Sequence, residues 1–319
     1  MSRPRLVLHI GLHKTGTSYL QKLFLLNREL LASESVGLAM PIHEERGDHH
    51  LLASHLDAGP EGYANFLAGL QTGCDTTLVT SECLTPWLLC SDRAGDLRSL
   101  LEPLFDVTVV LYLRRQDYLK ESVFAEVATS WYQGDILDEN HYLYDLEAIV
   151  DRVVEVFGAA ALRLGIYRDD VPQDIVGDFL GLCGLDRLAG RLGAIPRERV
   201  SLDRRVVALL ARCPKGDQEL IERIRSAVIA TDSIAADPCK YQLSPEQRRA
   251  FLEPYIESNR RVARKYRPDA EAYLSAQHPV SEHWRPIEPF SMDEVASLLV
   301  SLARQPSSSS IEPIGTAPR

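Results

Sequence analysis

The sequence contains no apolar run close to the roughly 18 residues that a membrane-spanning helix needs. The early apolar stretch at 6–10 is too short for a signal-peptide core, and no small-residue cleavage site follows it. We therefore expect this stretch to be a first strand and the chain to be cytoplasmic. None of the 6 cysteines forms a CxxC pair or has metal-ligand spacing to a histidine, which predicts reduced thiols and no metal site.

Basic residues are fewer than acidic ones, with 35 lysines and arginines against 45 aspartates and glutamates, so the formal net charge is −10. A general nucleic-acid binder is usually basic because phosphate contacts supply most of its affinity. The acidic balance therefore argues against a nucleic-acid partner, although it leaves room for a local basic pocket. The length of 319 residues suits one large domain, or one domain with an extension.

Strand and helix patterns alternate through the first half of the chain. Short apolar runs at 6–10, 36–40, 76–80, 107–113 and 161–167 predict strands. Helical periodicity lies between them, notably at 116–132 and 144–157. This alternation predicts an α/β fold of three layers, with a parallel sheet flanked by helices.

Beyond about residue 187 the pattern changes to amphipathic helices, including 244–266 and 292–302. We expect residues 1–186 to form the α/β core and 187–304 to be a helical extension that completes the same domain. Residues 305–319 include four consecutive serines and three prolines, which predicts a disordered tail.

The strongest motif is the segment Gly11–Ser18, which reads GLHKTGTS and lies between a predicted strand and a predicted helix. Glycines allow a tight turn, and the unpaired N–H groups of a helix N-terminus attract anions. A phosphate site is therefore predicted. The Walker loop GxxxxGK[ST] has its lysine directly after the second glycine, whereas Lys14 precedes Gly16. We also find no strand that ends in a metal-holding aspartate.

The segment His13-Lys14-Thr15-Gly16-Thr17-Ser18 resembles the 5′-phosphosulfate loop of the sulfotransferase superfamily. A second family motif, a strand-end arginine and a helix serine that grip a 3′-phosphate, is matched by Arg114 and by Ser122 eight positions later. Tyr167 matches a family tyrosine near the adenine, although Arg168 replaces the glutamate that often follows it.

The resemblance implies a P-loop-like fold and a metal-free reaction that uses 3′-phosphoadenylyl sulfate as cofactor. The glycine-rich RKGxxGDWK segment of cytosolic small-molecule sulfotransferases is absent from the sequence. That departure leaves part of the 3′-phosphate site unassigned. The cations Arg260, Arg261, Arg264 and Lys265 are candidates for it, with a solvated helix face as the alternative.

Sulfuryl transfer needs positioning and electrostatic stabilisation more than covalent help. We expect Lys14 to stabilise the leaving group and the N–H groups of 15–18 to hold the 5′-phosphate. His13 either shapes the loop or touches the acceptor. An acceptor hydroxyl also needs a general base. Glu82, which follows the strand at 76–80, is the first candidate, because ligands in open α/β sheets bind at the carboxyl ends of strands.

The pair His49-His50 is the second candidate for the base, since imidazole suits proton transfer near neutral pH. The expected partner is a carbohydrate or small molecule that offers a hydroxyl or an amine. Two other functions stay open at this point. One is a nucleotide or small-molecule kinase with an altered phosphate loop, and the other is a non-catalytic domain that binds a nucleotide.

Overall fold

The computed structural model of the protein describes residues 3–130, 132–139, 142–193, 195, 202–213, 218–229, 239, 241–276 and 284–304. The expected tail at 305–319 lies outside these residues. No helix in the described ranges is both long enough and apolar enough to cross a membrane.

The strands are β1 (Arg5–His9), β2 (Val36–Leu38), β3 (Thr76–Thr80), β4 (Asp106–Arg114) and β5 (Leu162–Tyr167). The helices of the first two thirds are α1 (Thr17–Leu26), α2 (Arg28–Ser33), α3 (His50–Ser54), α4 (Pro60–Gly69), α5 (Leu84–Cys90), α6 (Ala94–Leu101), α7 (Gln116–Val127), α8 (Leu146–Phe157) and α9 (Ile175–Leu182). The later helices are α10 (Arg204–Leu210), α11 (Gln218–Ile229), α12 (Pro245–Leu252), α13 (Ile256–Tyr266), α14 (Glu271–Leu274) and α15 (Met292–Arg304). Short 3₁₀ segments occur at His55–Ala58, Tyr142–Tyr144, Asp186–Leu188, Glu253–Tyr255 and Pro268–Ala270.

The five strands form one sheet in the order β2-β3-β1-β4-β5, and every pair is parallel. The predicted α/β class with helices on the sheet is confirmed. All five residues of β3 are buried, as expected for a strand that is covered on both faces. The chain runs from β1 to β2 on one side of β1 and from β4 to β5 on the other. The loops after β1 and β4 therefore diverge at the point where such sheets bind ligands.

Apolar residues of α1 and α9 build the core on one face of the sheet. Leu20 and Phe24 of α1 pack with Phe179 of α9 against Val7 of β1 and Val110 of β4. The four-residue spacing of Leu20 and Phe24 places both on one helix face. On α8, Asp145 caps the helix start by accepting a hydrogen bond from the backbone N–H of Ala148 at 3.0 Å.

Two compact units divide the chain, and each is composed of several segments. The first unit comprises Met1–Leu119, His141–Val200 and Arg249–Pro279. It therefore contains all five strands of the sheet and also the helices α13 and α14. The second unit comprises Lys120–Asn140, Ser201–Arg248 and Val280–Arg319. Chain order alone therefore does not separate the sheet from the helical region.

Within the second unit, α10 packs on α11 through Val206, Leu210 and Ile221. Buried ion pairs accompany this helical core. The Arg248 Nη2 lies 3.0 Å from Glu121 Oε1, with about 6% and 9% of the two side chains exposed, so desolvation offsets much of the attraction.

Two predicted helices, those over 116–132 and 244–266, differ most from the structure. The helix expected over 116–132 ends at Val127, because the following residues fold into turns with 3₁₀-type bonds such as Thr129 N–H to the Glu126 carbonyl. The helix expected over 244–266 is divided into α12 and α13 by the 3₁₀ segment Glu253–Tyr255, which contains a proline.

Candidate functional site

The predicted phosphate loop, Gly11–Ser18, joins β1 to α1 at the carboxyl ends of the strands. Gly11 and Gly16 have φ values of +100° and +81°, which favour residues without a side chain. Gly16 is the N-cap of α1, and no side chain caps the helix start. The first N–H groups of α1 therefore have no intrahelical partner and can meet an anion. The Thr15 hydroxyl donates to the Leu12 carbonyl at 2.7 Å, which closes the loop on itself.

Lys14 adopts a positive φ of 63°, which is uncommon for a residue with a side chain. Its carbonyl oxygen accepts a hydrogen bond from the Arg114 Nη1 at 2.7 Å. Arg114 is the last residue of β4, and β4 lies beside β1, so the two strand ends are neighbours. The contact brings the arginine of the second motif to the loop that carries the first motif, although 100 positions separate the two residues.

The Arg114 guanidinium also binds a carboxylate. Its Nε and Nη2 donate to the two oxygens of Asp169, with 2.9 Å for the Nε bond. The two side chains are about 12% and 15% exposed. Burial disfavours the charge, but the bidentate Asp169 outweighs burial and raises the pKa of Arg114. A phosphate at this position would share the guanidinium with Asp169.

Tyr167, the last residue of β5, lies close to both Arg114 and Gly16. Its ring centroid is 5.1 Å from the Arg114 Cζ, within range for a cation–π contact. A Cβ added to Gly16 would lie 3.5 Å from the Tyr167 Cε2. The tyrosine that the resemblance assigned to the adenine therefore lies directly beside the phosphate loop.

The remaining loop residues differ in exposure. Thr17 is buried, His13 and Lys14 are half-buried, and Ser18 is exposed. Ser122 lies in the middle of α7, in the part of that helix that belongs to the second unit. Its role beside Arg114 stays a prediction.

Three of the four C-terminal cations are ion-paired with carboxylates. Arg261 binds both oxygens of Glu147 at 2.6 and 2.7 Å, and Arg264 lies 2.9 Å from Glu271. Arg260 is paired with Glu257. These contacts favour the solvated, ion-paired helix face over the phosphate site for these residues.

Glu82 lies on the other side of the phosphate loop, just after β3. A Cβ added to Gly11 would lie only 3.0 Å from the Glu82 Cβ, so the glutamate packs on the start of the loop. The two carboxylate oxygens have different partners. The Gln21 Nε2 donates to Oε2 at 2.8 Å, and the His50 Nε2 lies 3.6 Å from Oε1. The two candidate bases, Glu82 and His50, thus form one ion pair.

The opposite edge of the His50 ring is also engaged. Its Nδ1 lies 2.8 Å from the Ser81 hydroxyl and 3.8 Å from Oδ1 of the buried Asp48. Burial favours the neutral imidazole, but Cys83 and Glu82 outweigh it and raise the pKa of His50 to about 10. Burial would likewise raise the pKa of Glu82, but His50 outweighs it and lowers that pKa to about 2. At neutral pH the pair is an imidazolium and a carboxylate.

His49 has a different environment from His50. It is fully buried, its Nε2 lies 3.0 Å from the Ala39 carbonyl, and its Nδ1 accepts from the Thr80 N–H at 3.2 Å. Burial lowers the pKa of His49 to about 4, so the ring is neutral. It ties α3 to β3 and has no free nitrogen for an acceptor.

Several residues that complete this site were not identified from the sequence. They are Gln21, Asp48, Ser81 and Asp169. Asp169 follows a strand end, which is a weak signal for a ligand-binding edge. The position of Gln21 on α1 gives no sign of its partner, because Glu82 lies 61 positions further along the chain.

A cavity of about 240 Å³ opens in the first unit, near the carboxyl ends of β4 and β5. Tyr273 lines it, with its ring centroid 5.2 Å from the Arg115 Cζ and 4.8 Å from the Arg168 Cζ. Arg115 is paired with Asp117, and Arg168 with Asp170. The charged walls of this cavity are therefore largely balanced.

Within the described ranges, no group of three or more His, Cys, Asp or Glu side chains is placed to hold a metal ion. Comparison of the chain with protein-family models and with curated proteins found no match.

Proposed function

We propose that this protein is a sulfotransferase that moves a sulfuryl group from 3′-phosphoadenylyl sulfate to a hydroxyl or amine of a carbohydrate or small molecule. The observation that carries the proposal is the bond from Arg114 to the Lys14 carbonyl. It joins the predicted phosphate loop to the arginine of the second motif at the divergent strand ends, where ligands of open α/β sheets bind.

The residues of the phosphate loop fit an anionic cofactor. The uncapped start of α1 supplies N–H donors and the positive end of a helix dipole. These groups would hold the 5′-phosphate, and Arg114 and Tyr167 would lie toward the nucleoside. The cofactor, when bound, supplies an activated sulfuryl group on a phosphate leaving group. Lys14 would place a positive charge where negative charge develops in the transition state.

The geometry also supports Glu82 as the group that receives the acceptor proton. His50 carries a proton at neutral pH because its pKa is raised to about 10, so it has no lone pair to offer. Glu82 is ionised and packs on the loop. His50 would hold the carboxylate in its charged form. An anion bound at the loop would raise the pKa of Glu82, because like charges disfavour a carboxylate, and would thereby make it a better base.

Titration with 3′-phosphoadenosine 5′-phosphate in EDTA tests the cofactor class by calorimetry. We expect metal-free binding that weakens about 10- to 100-fold in Lys14→Ala and Arg114→Ala, the range for hydrogen bonds to charged groups. Arg98→Ala, which removes an exposed ion pair with Glu102, serves as the matched control and should bind normally.

Arg114→Ala also leaves Asp169 without its partner and can weaken the fold. Arg114→Lys keeps the charge but loses the bidentate geometry, so it should also reduce affinity. Absence of binding would overturn the proposal. ATP binding that requires Mg²⁺ would overturn it in favour of a kinase. Binding without transfer of labelled sulfate to any acceptor in a panel of sugars, phenols and amines would favour a non-catalytic domain.

A further inference from the structure

We propose that Gln21 is a positioning residue for the Glu82 carboxylate, which it holds against the phosphate loop by its side-chain amide. The inference rests on the proposed function, in which Glu82 receives the acceptor proton. Gln21 is 2% exposed, and its Nε2 donates to the Glu82 Oε2 at 2.8 Å. The other carboxylate oxygen faces His50, 3.6 Å away.

The position of Gln21 follows from the geometry of α1. Thr17 is the first residue of the helix, and Gln21 lies four residues further on the same face, about 6 Å along the axis. The helix whose N-terminus would hold the 5′-phosphate therefore also carries the group that holds the carboxylate. A single rigid element sets the distance between the phosphate site and the base.

Two elements fix the carboxylate from different sides. α1 supplies the amide, and α3 begins with His50, which supplies the imidazolium. A lone hydrogen bond leaves a carboxylate free to rotate about its last torsion, whereas one partner on each oxygen defines its plane. Gly11 packs on the Glu82 Cβ and limits movement of the stem.

An interior glutamine has a cost that an apolar residue in this position would avoid. A buried amide must find partners, and a leucine of similar size needs none. The Gln21 amide donates to an ionised group, and hydrogen bonds to charged groups are stronger than those between neutral ones. A role in holding Glu82 accounts for a polar side chain among the apolar residues of α1.

The ionisable groups around Glu82 come from three elements. His50 belongs to α3, His9 ends β1, and Cys83 follows Glu82 in the chain. Gln21, unlike these three residues, carries no ionisable group. Its replacement therefore removes a hydrogen bond from the carboxylate without changing the charge of the site.

The test compares the wild type with Gln21→Leu by carbon NMR of the glutamate side-chain carboxyls, with Glu82→Gln used to assign the Glu82 signal. We expect the pKa of Glu82 to rise in Gln21→Leu, because the ionised form loses a donor. Gln21→Asn keeps an amide on a shorter side chain and should shift the titration in the same direction but less. Gln71→Leu, an exposed glutamine after α4, is the matched control and should leave the titration unchanged.

Kinetics supply the second readout. In Gln21→Leu we expect kcat for sulfuryl transfer to fall about 10-fold and the acidic limb of its pH profile to move to higher pH. The Kd for 3′-phosphoadenosine 5′-phosphate should stay within about twofold of the wild-type value, because the phosphate contacts are unchanged. Loss of nucleotide affinity with an unchanged profile would overturn the positioning role and indicate a structural one.

The two proposals fail separately. If the wild type binds no 3′-phosphoadenosine 5′-phosphate, the proposed function fails, while the NMR titration still decides whether Gln21 controls Glu82. If the Glu82 titration is the same in the wild type, in Gln21→Leu and in Gln21→Asn, the positioning role is wrong whatever the activity. Should Gln21→Leu not fold, Gln21→Asn alone carries the comparison.

Discussion

The pair of His50 and Glu82 makes a sharp prediction about stability and pH. Replacing His50 with glutamine keeps a polar side chain of similar size but removes the cation beside the Glu82 carboxylate, whose side chain is 12% exposed. The Nε2–Oε1 distance is 3.6 Å. At an effective dielectric constant of about 20, two unit charges at this separation attract by about 4 to 5 kcal/mol.

The net value is smaller, because both groups lose hydration when the pair forms and because solvent screens the His50 side chain, which is 30% exposed. We expect His50→Gln to lower the free energy of unfolding by about 1–2 kcal/mol near pH 6. The same cost should appear in Glu82→Gln. The double variant should lose less than the sum of the two, with a coupling of about 1 kcal/mol.

The sign of the pH dependence follows from the two pKa values. The pKa of His50 is raised from 6.5 to about 10, so its contribution to stability is complete below pH 6.5 and is lost as the pH rises through 10. The pKa of Glu82 is lowered from 4.5 to about 2, so its contribution is complete above pH 4.5 and is lost as the pH falls through 2. The cost of His50→Gln should therefore be largest between pH 4.5 and 6.5.

Urea unfolding followed by circular dichroism at pH 6, 8 and 10 measures this cost. His55→Gln, in the 3₁₀ segment that follows α3, controls for the loss of an imidazole that is not placed beside Glu82. Titration of other groups is common to the wild type and the variants, so it cancels in the difference. A cost of His50→Gln that stays constant from pH 6 to 10, or a coupling with Glu82→Gln near zero, would refute the ion pair as the origin of the effect.

Three further predictions concern the backbone and the buried histidines. Lys14 has a φ of +63°, so Lys14→Gly should be more stable than Lys14→Ala by about 1 kcal/mol in urea unfolding, and equal stability would contradict the strain. Gly47 and Gly73 have similar φ values of +78° and +73°, but a Cβ on Gly47 would lie 2.2 Å from a carbonyl oxygen of α1, whereas Gly73 has open space. Gly47→Ala should therefore cost several kcal/mol and Gly73→Ala only about 1, and thermal unfolding of the two variants compares them. Burial lowers the pKa values of His9 and His49 from 6.5 to about 4. The unfolded state therefore binds protons at a higher pH than the folded state does. Each histidine should lower the free energy of unfolding by ~3 kcal/mol as the pH falls from 6.5 to 4. Urea unfolding of the wild type and of His49→Gln across that range checks the last point, and parallel pH dependences would contradict it.

The elements of the sheet could be read from the sequence with little error. The run at 76–80 is β3 to the residue, and 107–113 lies inside β4. A run of β-branched and apolar residues favours a buried strand through its own side chains, so no distant partner is needed to identify it. The predicted phosphate loop was recognised for the same reason. Its glycines and the following helix start are local features of the backbone.

The local sequence pattern did not show in which direction each side chain points. His49 and His50 are adjacent, and the sequence offered them as one candidate. The fold buries His49 between backbone groups of β3 and the chain after β2, whereas His50 faces Glu82. Their positions in the chain could not show which histidine faces Glu82. That depends on where α3 begins and on which side of α3 packs against the sheet.

The strand order decided the composition of the candidate site. Because β3 and β4 flank β1, Glu82 and Arg114 reach the phosphate loop from its two sides, and β5 adds Asp169 beside Arg114. Local backbone hydrogen bonding and side-chain periodicity act over a few residues, so the strands, the helices and the loop can be predicted from the sequence. The partners of a buried charge are set by which strand ends meet, and pairing between distant strands is a property of the tertiary structure alone.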